Sequence, residues 1–368
     1  MRPLTVFGIL TTLITSAFIG SFIRSFDVLK DYNFFNDKEC QRVEIKMPSE
    51  DLAVFGKYII GSTADGISMY YKHLSAEKAP AGYLISIDTT TQKVEKIVVE
   101  NFPSKYNMNA HGITIFNKNQ LYVLSHSYNK GGEIVFVFEL EEQDARVQAT
   151  FVKAIKISDE YGAYNSIALY DENNFYLTQW IPFPDTVYGR DMSFFTNMKR
   201  SLLFSYTKTN SVKHCTVKED LVTCVEKAHG YVPNGILING KTLFFADSLA
   251  KTVEVFNIEE NFDLSQITTV PISHCVDNLS YKDGVVYVTG ISKIFDYIKY
   301  GEAVSHGQEP IFVPGGFSKI YKEGNEWVSK EMLMQDKISL PSATVVHDKN
   351  IVISSIIDPA ILFCPLVK

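Results

Sequence analysis

The side chains in this sequence that could do chemistry are far apart along the chain but share one setting. Each stands at the mouth of a short apolar run that is followed by a turn and a second apolar run. Glu50-Asp51 precede Leu52-Ala53-Val54, His111 precedes Gly112-Ile113-Thr114-Ile115, and Asn165 precedes Ser166-Ile167-Ala168-Leu169. Asn234 precedes Gly235-Ile236-Leu237-Ile238, Asp277-Asn278 precede Leu279-Ser280, and Ser342 precedes Ala343-Thr344-Val345-Val346. A single polar residue at a strand start is ordinary turn chemistry. Glu, Asn, Asn, Asp and Asn gathered on one ring would instead form a binding centre, and a neutral imidazole beside it could accept a proton near pH 7.

The elements around these residues show how they could be gathered. Each run continues into a second strand: Tyr58-Ile59-Ile60, Leu121-Tyr122-Val123-Leu124, Phe175-Tyr176-Leu177, Leu243-Phe244-Phe245, Val285-Val286-Tyr287-Val288 and Ile351-Val352-Ile353. Asp283-Gly284 is a hairpin turn signal between two of them. A third strand follows in each copy, read at 83–87, 134–138, 202–206, 253–256, 317–321 and 360–363, and most copies add a polar fourth strand such as 151–155. Six copies at intervals of about 45 to 70 residues are an internal repeat, and its strand content predicts an all-β, six-bladed β-propeller. A propeller sets the first strand of each blade along the central channel, so the six polar strand starts converge on one axis.

At 368 residues with 46% apolar and 13% aromatic side chains, one propeller would use nearly the whole chain. A net charge of −7 and the lack of a basic run argue against a nucleic-acid partner. Residues 4–23 are uncharged between Arg2 and Arg24, long enough to span a bilayer as an N-terminal hydrophobic anchor helix. Thr15-Ser16-Ala17 offers a cleavage site; the reading preferred is an uncleaved signal-anchor. The organisation is then 1–28 signal-anchor, 29–39 linker and 40–368 propeller. The propeller would lie in the lumen of the endoplasmic reticulum or outside the cell, and would be secreted if the segment is cleaved.

Five cysteines fit that compartment. The first and last segments of a propeller meet in one blade, so a Cys40–Cys364 disulfide would close the ring, worth about 4–5 kcal/mol in the loop-entropy model. Cys215 and Cys224 flank a plausible hairpin and could pair. Cys275 is left over and reads as a buried thiol rather than a nucleophile. The only glycosylation sequon, Asn278-Leu279-Ser280, falls inside the channel by the repeat register.

Over nearly its whole length the chain resembles the serum paraoxonase/arylesterase family. The resemblance is carried by Ser49-Glu50-Asp51-Leu52, Ala110-His111-Gly112-Ile113, Pro233-Asn234-Gly235-Ile236 and Val276-Asp277-Asn278-Leu279-Ser280, in that order. The flanking cysteines and the N-terminal hydrophobic segment belong to the same pattern. The resemblance implies a calcium-dependent hydrolase of lactones and aryl esters with a small lipophilic substrate. It assigns the catalytic calcium to Glu50, Asn165, Asn234, Asp277 and Asn278, a set of two carboxylates and three amides that suits Ca²⁺. It assigns a second calcium to Asp51 and the carbonyl of Ile113, but Ser166 stands where the family has an Asp, so this set lacks a carboxylate. His111 and His126 match the family's histidine dyad. The places of two further pocket histidines fall near Trp180 and Ile291.

The resemblance also makes the aromatic-rich insertion at 181–201 a helix over the channel mouth that seats the protein on a membrane or lipid surface. A second insertion, 292–316, would form the opposite wall. Two functions remain open on these residues. One is the esterase or lactonase. The other is a non-catalytic paraoxonase-like chaperone for ion channels or other membrane-protein clients in the endoplasmic reticulum, a reading favoured by the two replaced pocket histidines.

Overall fold

The computed structural model describes residues 20, 23–70, 80–127, 132–158, 163–183, 193, 195–196, 198–200, 203, 207–219 and 221–366. The expected all-β, six-bladed propeller is the fold. Its first strand, β1 (Gln41–Glu44), belongs to the last blade. The first blade is β2 (Ser49–Phe55), β3 (Tyr58–Thr63), β4 (Leu84–Asp88) and β5 (Val94–Lys96). A short edge strand, β6 (Val98–Glu100), joins the second blade by parallel pairing with β10 (Arg146–Ser158), outside β7 (Ala110–Phe116), β8 (Gln120–Ser127) and β9 (Gly132–Gln143). The third blade is β11 (Tyr164–Leu169), β12 (Asn174–Gln179), β13 (Asn210–Lys218) and β14 (Leu221–Gly230). The fourth is β15 (Pro233–Asn239), β16 (Thr242–Asp247), β17 (Thr252–Ile258) and β18 (Leu264–Pro271). The fifth is β19 (Cys275–Lys282), β20 (Val285–Ile291), β21 (Gly315–Glu323) and β22 (Glu326–Gln335). The sixth is β23 (Pro341–His347), β24 (Asn350–Ser355) and β25 (Ala360–Pro365), completed by β1.

Closure follows from that borrowed strand. β1 runs antiparallel to β25 with Gln41 opposite Phe363, which sets Cys40 beside Cys364, and the two are disulfide-bonded. Cys215 and Cys224 face each other across the β13–β14 hairpin and are also bonded. Between blades, apolar side chains from both sheet faces interlock. Tyr122, Leu124 and Val135 of the second blade pack with Ile167, Phe175 and Leu177 of the third. Full burial of each such residue contributes about 1.5–3 kcal/mol.

The third strand of the third blade is Asn210–Lys218; the run expected to supply it, 202–206, lies outside the described residues apart from Leu203. A short apolar run does not by itself distinguish strand from other buried structure. In β13 it is Val212, Cys215 and Val217 that are buried.

All six innermost strands share a break near their start. The ladder loses register between Ser49 and Leu52, Ala110 and Ile113, Tyr164 and Ile167, Pro233 and Ile236, Val276 and Leu279, and Pro341 and Ala343. The residues skipped are the polar ones of the repeat. A bulge of this kind frees residues from pairing and re-aims their side chains. Hydroxyls on the second strand take over lost ladder bonds: Ser62 Oγ accepts from Asp51 N at 3.0 Å, and Thr178 Oγ1 from Ser166 N at 3.1 Å. Neighbouring innermost strands approach so closely that a Cβ on Gly112 would lie 2.5 Å from the Asn165 carbonyl oxygen, and one on Gly235 2.6 Å from Asn278 Cα. Glycine after the functional residue is therefore a packing requirement here.

The second insertion folds as a helix. A short helix, α1 (Gly66–Tyr70), follows β3, and α2 (Ile294–Ser305) follows β20. Asp296 in the first turn of α2 suits the helix dipole. Tyr300 and Val304, one turn apart, pack with Ile291, Val313, Leu340 and Ile357. Residues 26–32, which straddle the end of the 1–28 segment and the linker, clamp this helix. Phe295 N donates to Phe26 O at 2.9 Å, Tyr32 OH donates to the Asp296 carboxylate, and Lys293 Nζ lies 4.1 Å from the Tyr32 ring centroid. The proposed anchor, residues 4–23, lies outside the described residues apart from Gly20 and Ile23, as does much of the 181–201 insertion. Among the described residues no helix is long and apolar enough to cross a membrane.

Candidate metal centre and adjoining pocket

The bulges bring Glu50, Asn165, Asn234, Asp277 and Asn278 together at one end of the channel, from four different blades. Their hydrogen bonds are ordered. Asn278 Nδ2 donates to Glu50 Oε1 at 2.6 Å and to the Glu50 carbonyl at 3.2 Å. Ser342, the sixth-blade member of the repeat, donates to that carbonyl at 2.6 Å. Asn165 Nδ2 donates to His111 Nε2 at 3.1 Å. The amide nitrogens of Asn165 and Asn278 are thus spent on neighbours. The oxygens are not: Glu50 Oε2, Asn165 Oδ1, Asn234 Oδ1 and Asn278 Oδ1 are all buried without a hydrogen-bond partner.

An unsatisfied buried polar atom costs about 1–3 kcal/mol, so four in one place call for a ligand. The carboxylates agree. Burial raises the pKa of Glu50, and the charges of Asp51 and Asp277 raise it further. Burial, then the Asp51 charge, pushes Asp277 up to about 8. Such a site takes positive charge, either as protons or as a cation. Its donors are all oxygen, the preference of a hard cation such as Ca²⁺. Among the described residues no group of three or more His, Cys, Asp or Glu could hold a metal; the ring relies on amide oxygens. These residues fit a calcium ion.

The second set differs in already having partners within the protein. Asp51 Oδ1 accepts from Leu52 N and Oδ2 from Ile113 N, both at 2.8 Å. The Ile113 N–H thus ties the second blade to Asp51. Both oxygens of Asp51 are occupied and Ser166 adds no charge, so Asp51 serves as a polar strut from the first blade to the second.

His111 and His126 are both buried, with ring centroids 4.7 Å apart and planes at 46°. His111 Nε2 points at the ring, 3.8 Å from Glu50 Oε1. The Asn165 N–H donor holds that nitrogen as an acceptor, which is the form able to take a proton. His126 faces Glu133, a residue the sequence reading passed over; its only signal was one acid heading the apolar run of β9. His126 Nδ1 lies 2.9 Å from Glu133 Oε2 and 3.1 Å from Oε1.

A pocket opens directly onto the ring and His111. Its floor is His111, Asn165, Asn234 and Asp277, and its walls include Trp180, Ile291, Tyr297, Leu340, Ile356 and Ile357. The two residues standing near the expected pocket histidines therefore do line it. Trp180 lies 25° from parallel with the His111 ring at 6.5 Å. Tyr297 comes from α2, so the second insertion supplies part of one wall. Cys275 is a free thiol in the lining, and burial raises its pKa, which disfavours the nucleophilic thiolate. The sequon residue Asn278 is only 2% exposed, buried in the channel as its register implied.

The chain is 27% identical over 279 residues to serum paraoxonase/lactonase 3 of Oryctolagus cuniculus, covering 72% of this chain and 73% of that one. It is 26% identical over 205 residues to serum paraoxonase/lactonase 3 of Homo sapiens, covering 54% of this chain and 52% of the human protein. A luciferin-regenerating enzyme structure aligns over 89% of this chain and 95% of its own, with a TM-score of 0.49 and 10% identity. A family model described as Arylesterase matches residues 47–293, so the chain belongs to the arylesterase family.

Proposed function

We propose that the protein hydrolyses lactones and aryl esters with calcium held by Glu50, Asn165, Asn234, Asp277 and Asn278. One observation carries this reading. The residues of two unpartnered oxygens, Asn165 and Asn234, line an apolar pocket together with His111, whose Nε2 is held as a proton acceptor, and Asp277. Calcium bound there would act as a Lewis acid on the substrate carbonyl oxygen as negative charge develops on it.

The chain's own side chains do the rest. Trp180, Ile291, Tyr297 and Leu340 hold the apolar body of the substrate and keep bulk water from its carbonyl. His111 Nε2 takes a proton from the attacking water, a role worth about 10²–10⁴-fold in rate. Asn165 holds His111 in the accepting form until then, and His126 packs behind it. The carboxylates cannot serve as the base while they neutralise the cation. The assay is hydrolysis of a lactone and aryl-ester panel by the full-length protein, with and without chelator. Activity that chelation abolishes supports the reading; calcium binding with no hydrolysis of any ester or lactone sinks it.

That second outcome would favour the chaperone reading. Trp180 and Ile291 in the pocket wall are the observation on its side. Calcium at the ring would join four blades and rigidify the propeller even without turnover. In either reading residues 4–23 tether the propeller to a membrane of the secretory pathway. The exposed Leu29, Phe34, Phe195 and Ile298 add apolar surface suited to a lipid face.

A further inference from the structure

Glu133 is fully buried, at 0% exposure, at the head of a strand whose next residues are Ile134, Val135 and Phe136. Its ion-pair partner among the described residues is the imidazole of His126, directly opposite in the β8–β9 ladder. A carboxylate so placed costs far more than the apolar residue the strand would otherwise hold, unless its oxygens are met. They are met at two places. Both oxygens lie within 3.1 Å of His126 Nδ1, and Oε1 also accepts from Ala163 N at 2.9 Å. Ala163 leads into β11, two residues before Asn165. One carboxylate therefore fixes both neighbours of His111: the His126 ring behind it, and the strand whose amide donates to its Nε2.

We infer that Glu133 is a positioning residue that holds His126 as the Nδ1–H tautomer and so orients the histidine pair. An ionised carboxylate only accepts, so the proton it faces must sit on His126 Nδ1. That leaves Nε2 as the lone-pair nitrogen of His126. The His111 ring then packs against a His126 ring that Glu133 holds in place. The consequence for rate rests on the proposed hydrolase reading; the tautomer does not.

Glu133→Gln separates the two parts. The amide oxygen can still accept from Ala163 N, and the volume is kept. The amide nitrogen, however, donates towards His126 Nδ1 and forces the proton to Nε2. Full-length protein labelled with ¹⁵N-histidine and loaded with calcium should show the Nδ1–H pattern for His126 by NMR, and Glu133→Gln should lose it. On any lactone the wild type hydrolyses, Glu133→Gln should lower kcat about 10- to 100-fold, as loss of a partner that orients a functional histidine does elsewhere. KM and calcium affinity should stay within about twofold of the wild type, and Glu133→Asp, which keeps the charge, should restore part of kcat. A purely structural Glu133 would lower the melting temperature without the selective loss of kcat. An Nε2–H tautomer in the wild type, or wild-type kcat in Glu133→Gln, overturns the inference. If Glu133→Gln does not fold, the wild-type spectrum and the Asp variant decide. A wild type that turns over nothing but keeps the Nδ1–H pattern defeats the hydrolase reading and leaves the orientation of His126 by Glu133 standing.

Discussion

Glu50 and Asp51 are adjacent in sequence, lie in the same bulge and are both buried, yet the fold treats them oppositely. Glu50 keeps one carboxylate oxygen without a partner and shares its surroundings with three amide oxygens in the same condition. Asp51 gives both oxygens to backbone N–H groups, one of them on the next blade. The first arrangement is incomplete until something positive arrives. The second is complete as it stands. Burial raises the pKa of both carboxyls, so burial alone does not distinguish a ligand site from a strut. The accounting of individual oxygens does.

Removing a carboxylate from the incomplete ring should have the largest effect. Asp277→Ala should abolish hydrolysis and calcium binding together. It should also remove the stabilisation calcium gives, which at a calcium concentration a hundred times Kd is about 2.7 kcal/mol. Melting curves of wild type and variant, each with calcium and with EDTA, test this; a calcium response in Asp277→Ala would show that the ring does not depend on that residue. Next comes the base. His111→Gln should cut kcat by about 10²–10⁴-fold while calcium affinity barely moves. A variant hydrolysing lactones at the wild-type rate would pass the proton to some other group.

The strut should give a different signature. Asp51→Asn puts an amide nitrogen against a backbone N–H and should cost about 1–3 kcal/mol of stability. Calcium stoichiometry should be unchanged, and urea titration alongside calcium binding would separate the two effects. Loss of calcium with no loss of stability would reverse the assignments of Glu50 and Asp51. The smallest effect concerns pH. Folding raises the carboxyl pKa values of Glu50, Asp51 and Asp277 above their unfolded values, Asp277 from 3.8 to about 8. In the metal-free protein their contribution is therefore fully present at low pH and is lost as pH rises through the folded values. Calcium competes with the same protons, so the rise in melting temperature it produces should be larger at about pH 8 than at about pH 5. An equal rise at both would mean that the ring carboxylates do not titrate in this window.

Much of the ring was legible because it is repeated. A polar residue before an apolar hairpin, six times over, implies convergence once strands close into a propeller. The bulges were not legible, because they depend on how strands pair and pack in the assembled blades, where neighbours come as close as at Gly112 and Gly235. Glu133 was missed since its meaning lies across the ladder in His126 rather than in its own neighbours. The strand that pairs with β12 was missed for a related reason: Asn210–Lys218 is less uniformly apolar than the run at 202–206 that was read in its place. The resemblance supplied the ligand assignments, but it could not tell that both Asp51 oxygens are already taken.

The central claim is that this ring is completed by one calcium ion. Calorimetric titration of calcium into full-length protein stripped of metal tests it without reference to any substrate. The account predicts one calcium bound per chain in the wild type and in Asp51→Asn, and none in Asp277→Ala. A wild type that binds no calcium, or an Asp277→Ala chain that binds it as the wild type does, would contradict it.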